Sequence, residues 1–157
     1  MTFAARPVTR ATLWPLINLS VRDDQRDLVA PNMKTFAEAP YEPGAAVWGL
    51  WHGDTPVGLM AMVDPSGVAL HGPHLHPGAA YLWRLMIAAE SQGRGYGAQA
   101  LGHAIATARG WGAGHLVTGV NPAPHGNLGF YERHGFRNSG VVEDEDLLLA
   151  LDLSGKG

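Results

Sequence analysis

The chain has 157 residues, 46% apolar and 16% charged, with a formal net charge of −3 and no cysteine. This is the composition of a globular domain long enough to bury a sizeable core. It excludes disulfides, thiolate metal sites and a cysteine nucleophile, and it offers no basic tract for nucleic acid.

In chain order, residues 3–8 read as a short strand, and Thr9 is placed to cap a helix over roughly 11–19 that Pro15 weakens. The opening "MTFAARPVTR" lacks the apolar core of a signal peptide. "VRDDQRDLVA" (21–30) reads as a second, amphipathic helix with Val21, Leu28 and Val29 apolar and its charges outward, ended by Pro31. "KTFAEA" (34–39) predicts a further helical turn. "AAVWGLW" (45–51), a turn at His52-Gly53-Asp54 and "TPVGLMAMVD" (55–64) predict a hairpin. "DPSG" (64–67) reads as a type I turn leading into a short strand over 68–71. "AYLWRLMIA" (80–88) is the strongest buried-strand segment, interrupted only by Arg84. After "QGRGYG" (92–97), Leu101, Ala104, Ile105 and Ala108 share one face of a helix. A strand follows at 115–120 and a short helix at 127–134 with Asn127 as its cap; the end is a hairpin turning near Asp144-Glu145. There is no internal repeat and no linker, so a single domain over 1–157 is expected. No apolar run reaches the roughly 18 residues of a membrane span. The absence of cysteine is compatible with a cytoplasmic setting.

The segment "QGRGYG" (92–97) carries the most chemistry. A glycine-rich turn between a strand and a helix aims bare amides at an anion. A Walker loop would need Gly-Lys-Ser/Thr, which the chain lacks. A dinucleotide fingerprint would need an acidic residue about 20 positions on, and "HLVTGVN" (115–121) has none. "HGPHLH" (71–76) holds three histidines, but its glycine and prolines make it a loop without fixed ligand geometry, so no metal is assigned. "EDED" (143–146) reads as a solvated hairpin tip.

Gln92-x-x-Gly95-x-Gly97, followed some 35 residues on by "GNLGFYERHGF" (126–136), resembles the two signatures of the GCN5-related N-acetyltransferase (GNAT) superfamily. The order of elements fits over nearly the whole chain. The resemblance implies an α+β fold, a twisted, mixed but mostly antiparallel sheet of six to seven strands with helices on both faces. It implies acetyl-CoA as co-substrate and no metal. Gln92, Gly93, Arg94, Gly95, Tyr96, Gly97 and Ala98 would face the pyrophosphate. Leu85, Met86 and Ile87 would pair edge-on with the pantetheine arm, a backbone amide near Met86 or Ile87 would polarise the thioester carbonyl, and Asn121, Asn127 and Phe130 would border the reactive end. Tyr131 resembles the family's general acid. Several members carry a glutamate early in the strand matching 80–87; here Tyr81, Trp83 and Arg84 stand nearby, so no base is assigned. Where many members have an asparagine seven residues before the tyrosine, this chain has Pro124, which leaves Asn127 as the replacement contact. Homodimers are common in the superfamily, and nothing in the sequence specifies an interface.

"QRDLVAPNMKTFAEA" (25–39) and "YLWRLMI" (81–87) resemble bacterial spermine/spermidine acetyltransferase-like proteins. That implies a polyamine acceptor, a flexible polycation held by carboxylates and aromatic walls. Asp23, Asp24, Asp27, Glu38 and Glu42 are the nearby carboxylates, and Asp24 and Glu38, with Tyr41, Tyr81 and Trp83, are the residues expected to line its site. An acetyltransferase for another amine and a non-enzymatic acetyl-CoA sensor are the alternatives.

Overall fold

The computed structural model describes residues 1–155, so the last two residues of the expected domain, 156–157, lie outside the described residues. Seven strands form one sheet in the order β1-β2-β3-β4-β5-β7-β6: β1 (Phe3–Pro7), β2 (Ala45–His52), β3 (Thr55–Val63), β4 (Ala80–Ile87), β5 (His115–Val120), β6 (Arg137–Glu143) and β7 (Asp146–Asp152). All neighbours run antiparallel except β4 and β5. This is the mixed, mostly antiparallel α+β sheet implied by the resemblance.

Five helices, α1 (Arg10–Ile17), α2 (Asn32–Glu38), α3 (Pro65–His71), α4 (Tyr96–Gly110) and α5 (Leu128–Arg133), flank the sheet. On one face α4 buries Ala100, Leu101, Ala104 and Ala108 against Leu50, Met60, Met62, Leu82 and Leu116. On the other, Leu16 of α1 packs with Trp51, Leu59 and Met86, and Phe36 of α2 joins them. The alternation of side chains along each strand supplies both faces at once.

Two local expectations are overturned. Residues 21–30 do not form a helix: only a single 3-10 turn, Asp23–Gln25, interrupts an irregular strap. Its apolar residues at 21, 28 and 29 are too few to fix a helical stripe, and Gln25 and Asp27 find partners on other elements. Residues 68–71 are not a strand but the end of α3. Asp64 caps that helix, its Oδ1 accepting from the Gly67 amide at 3.0 Å and the Ser66 hydroxyl at 2.6 Å, and Pro65 sits at the first helical position. "DPS" is thus a helix-start signal. Asn127 does occupy the N-cap position of α5, but its side chain makes no capping bond.

Candidate active site

The site is built where the sheet comes apart. The parallel ladder between β4 and β5 covers only Ala80–Leu116, Tyr81–Val117 and Leu82–Thr118, and beyond it the strands separate. A bulge falls at the same level. Met62 of β3 faces Leu82 and Ala61 faces Arg84, which leaves Trp83 unpaired. From Trp83 to Ile87 the outer edge of β4 has no strand partner. Such an edge can pair with an extended, amide-bearing ligand.

Beside that edge lies a cleft of about 420 Å³. Leu85, Met86, Ile87, Gln92, Gly93, Gly95, Tyr96, Gly97, Ala98, Asn127, Phe130 and Tyr131 line it, so most of the residues expected around the cofactor come together. Gly93 (φ 78°) and Gly95 (φ 85°) adopt left-handed backbone conformations, and a Cβ at either would meet nothing within 4 Å. The turn therefore presents bare backbone to open space at the start of the 15-residue helix α4, where unpaired amides and the helix dipole favour a phosphate. Gln92 shapes this turn: its Nε2 donates to the Ile87 carbonyl at 2.9 Å and to Gln25 Oε1 at 2.8 Å. Tyr96 contributes backbone only, because its ring is buried against Phe3 and His52. Arg94 is exposed and does not line the cleft.

Sequence reading does not find the roof. Val21, Gln25, Leu28 and Val29 of the strap line the cleft, as do Ser91 and Arg133. The strap is fastened at both ends: to the phosphate turn through Gln25–Gln92, and to the β5–α5 loop through Asp27, whose carboxylate lies 2.9 and 3.1 Å from His125 Nε2. Asn121 sits at this second fastening. Its Nδ2 reaches the Asp27 carbonyl at 3.5 Å, its Oδ1 accepts from the Ala123 amide at 2.9 Å, and it lines the β4–β5 gap rather than the cleft.

Tyr131 borders both the cleft and the gap. It is 6% exposed, with Phe130 and Phe136 edge-on to its ring. Burial pushes its phenol up to about 12, partly opposed by the Thr118 hydroxyl beside it. A phenol at that position is a proton donor throughout the neutral range.

The expected acceptor residues divide. Tyr81 and Trp83 do wall a pocket, one of about 250 Å³. Glu38 does not face it freely: its carboxylate receives Arg84 Nη2 at 2.8 Å and lies 3.7 Å from Lys34. Arg84, which also donates to Thr35 Oγ1 at 3.0 Å and stacks over the Trp83 ring at 4.6 Å, has claimed it. Asp24 is exposed and paired with Arg22, and Tyr41, 87% exposed, borders none of these cavities. Of the carboxylates expected at the acceptor site, Glu42 does border the Tyr81–Trp83 pocket, where Glu143, Asp144 and Asp146 join it. The hairpin tip is solvated as expected, with Asp144 and Glu145 exposed, and it also borders this pocket. Asp144 (φ 50°) and Glu145 (φ 71°) make its tight turn, and burial first, then the neighbouring charges of Asp144 and Glu145, raise the carboxyl of Asp146. The histidine-rich loop takes another course: His76 stacks on His115 at 3.8 Å. Among the described residues no three histidine or acidic side chains gather in metal-binding geometry.

The model of the acetyltransferase (GNAT) family matches residues 13–136. No curated protein matches the sequence. Among solved structures, PaiA N-acetyltransferase from Thermoplasma acidophilum, in complex with coenzyme A, is 13% identical with a TM-score of 0.68, covering 97% of this chain and 99% of its own. The GNAT domain of S. lividans PAT is 19% identical with a TM-score of 0.72, covering 94% and 89%. The ribosomal-protein-S18-alanine N-acetyltransferase of Escherichia coli is 17% identical with a TM-score of 0.68, covering 99% and 97%. At these identities the likeness speaks to the fold.

Proposed function

The chain belongs to the acetyltransferase (GNAT) family, and on that premise we propose that it acetylates a primary amine of a polyamine such as spermidine or spermine, with Tyr131 as general acid. The enzyme is an N-acetyltransferase, and acetyl-CoA is its acyl donor. The Gly93–Ala98 turn would hold the pyrophosphate and the free edge of β4 the pantetheine arm. When bound, the thioester supplies an activated acetyl group.

This chain's residues supply position and protons. Leu28 and Val29 cover the β4–β5 gap and restrict water there. Tyr131 holds a proton at its phenol oxygen for the departing sulfur as the carbon–sulfur bond breaks. The acceptor nitrogen enters as the neutral amine and forms the carbon–nitrogen bond first; the phenolate left after sulfur departs then takes the proton remaining on that nitrogen. For an amine that has already lost its ammonium proton to solvent, the proton count closes on one residue, without a carboxylate base at the strand position where Trp83 and Arg84 stand.

The observation that carries the acceptor reading is the pocket beyond Trp83. It combines two aromatic walls with Glu42, Glu143, Asp144 and Asp146 and borders the same strand, β4, as the reaction gap. An amine reacting in the gap would leave its distal ammonium groups beside these carboxylates and its methylenes along Tyr81 and Trp83. The test is release of free coenzyme A with a panel of spermidine, spermine, putrescine, simple monoamines, amino acids and short peptides. The polyamines are expected to give the highest kcat/KM, with a KM that rises with salt. Efficient turnover of monoamines or peptides without polyamine turnover overturns the acceptor assignment.

A further inference from the structure

The hydroxyl of Thr118 stands at the point where β4 and β5 part. Leu82–Thr118 is the last paired position of the parallel ladder. There the Leu82 carbonyl receives a side-chain hydroxyl, Thr118 Oγ1, at 3.0 Å. Thr118 is 3% and Leu82 1% exposed, so this bond is shielded from water. Thr118 on β5 and Tyr131 on α5, both buried, line the same small gap.

We propose that Thr118 is a positioning residue that holds the Tyr131 phenol at the fork in both of its protonation states. The inference rests on the reading of Tyr131 as general acid. A buried phenol needs a partner before and after it gives up its proton, because an unpaired buried oxygen is unfavourable and an unpaired phenolate more so. A hydroxyl is both donor and acceptor. While Tyr131 is protonated, Thr118 directs its own proton to Leu82 and offers a lone pair to the phenol. A forming thiolate is a charged acceptor and outcompetes that neutral lone pair. Once the phenolate exists, Thr118 rotates its O–H from Leu82 to the phenolate oxygen. No proton is gained or lost at Thr118 in this exchange. The same hydroxyl, pinned to β4, fixes where the strands part and so where the phenol points.

Thr118→Val keeps the branched shape and removes the hydroxyl; Thr118→Ser keeps the hydroxyl. The expected result for Thr118→Val is a kcat lowered about tenfold, as for one lost hydrogen bond in the reaction's highest state, with acetyl-CoA KM unchanged. Thr118→Ser should restore most of the rate. In the Tyr131→Phe background, Thr118→Val should have little further effect, because the two residues act as one unit. Wild-type kcat in folded Thr118→Val, alongside a slow Tyr131→Phe, overturns the role of Thr118 and leaves Tyr131 in place. A tenfold loss that adds fully to that of Tyr131→Phe also overturns it, since Thr118 would then act elsewhere. Wild-type kcat in Tyr131→Phe itself overturns the underlying reading instead. If Thr118→Val fails to fold, Thr118→Ala in the same cycle carries the same outcomes.

Discussion

The two sides of the β4–β5 gap are made of different material. On the cofactor side the ligand would meet mostly backbone: the amides of the Gly93–Ala98 turn and the free edge of β4. On the acceptor side it would meet side chains brought from three places: Glu42 after α2, Tyr81 and Trp83 on β4, and the β6–β7 tip. Backbone recognition depends on where a side chain is absent, so it leaves a mark in glycine spacing. Side-chain recognition leaves a fainter mark: Glu42 and Trp83 stand out only through the resemblance, and Asp146 is ordinary in its own segment.

Substitutions sharpen this contrast, and the largest effect is expected on the backbone side. Gly95→Val should weaken acetyl-CoA binding on the order of 10³-fold while the protein stays folded, since it places a β-branched residue at φ 85° and pushes phosphate off several charge-assisted amide bonds. Calorimetry on the folded variant with unchanged affinity would remove the turn from the site. Tyr131→Phe, between the two sides, should lower kcat on the order of 10²-fold with little change in acetyl-CoA KM. Because burial lifts the phenol to about 12, wild-type kcat should show no basic fall-off up to about pH 10, where an ordinary tyrosine would already be half ionised. A kcat that declines from pH 9 would show the acid to be some other group.

Effects on the side-chain side should be smaller and of mixed sign. Burial first, then the charges of Asp144 and Glu145, oppose ionisation of the Asp146 carboxyl. A carboxyl raised in the fold favours folding most when protonated and loses that contribution as pH rises, so Asp146→Asn should raise Tm at pH 7 by about 1–2 °C, allowing for solvent screening. The same change should raise polyamine KM roughly threefold to tenfold. A lower Tm, or an unaltered KM, would separate Asp146 from the acceptor pocket. The smallest effect lies far from the gap. His103, edge-on to Trp48 at 5.1 Å, has its ring nitrogen Nε2 buried without a partner, and burial lowers its basicity. A histidine depressed in the fold binds fewer protons than in the unfolded chain. Stability should therefore fall as pH drops below about 6.5, and Tm of His103→Gln should show a shallower decline between pH 7 and 5 by a few degrees at most. An equal decline in both proteins would assign the acid sensitivity to another group, such as His76, which burial and His115 depress likewise.

The strap and the start of α3 show where local pattern stops being informative. Val21, Leu28 and Val29 have the spacing of a helix face, yet the strap is held by Gln25–Gln92 and Asp27–His125, contacts 67 and 98 residues apart in sequence. Asp64-Pro65 fits a turn as well as a helix cap, and the amide of Gly67 decides for the cap. Glu38 looked available for an amine because Arg84, 46 residues on, could not be seen to claim it.

What the sequence by itself determined is most of the sheet-and-helix order, the glycine turn between β4 and α4, and the helix bearing Tyr131. Each is encoded within a few residues, by hydrophobic period or by glycine where the backbone turns left-handed. Only the tertiary structure decided which carboxylates face the acceptor pocket, what roofs the cleft, and that Thr118 sits at the fork beside Tyr131. Those are contacts between segments distant in sequence: the register of β4 against β5 sets Thr118 at the fork, and Gln25–Gln92 and Asp27–His125 hold the roof. Such pairings belong to two segments, and neither carries them alone.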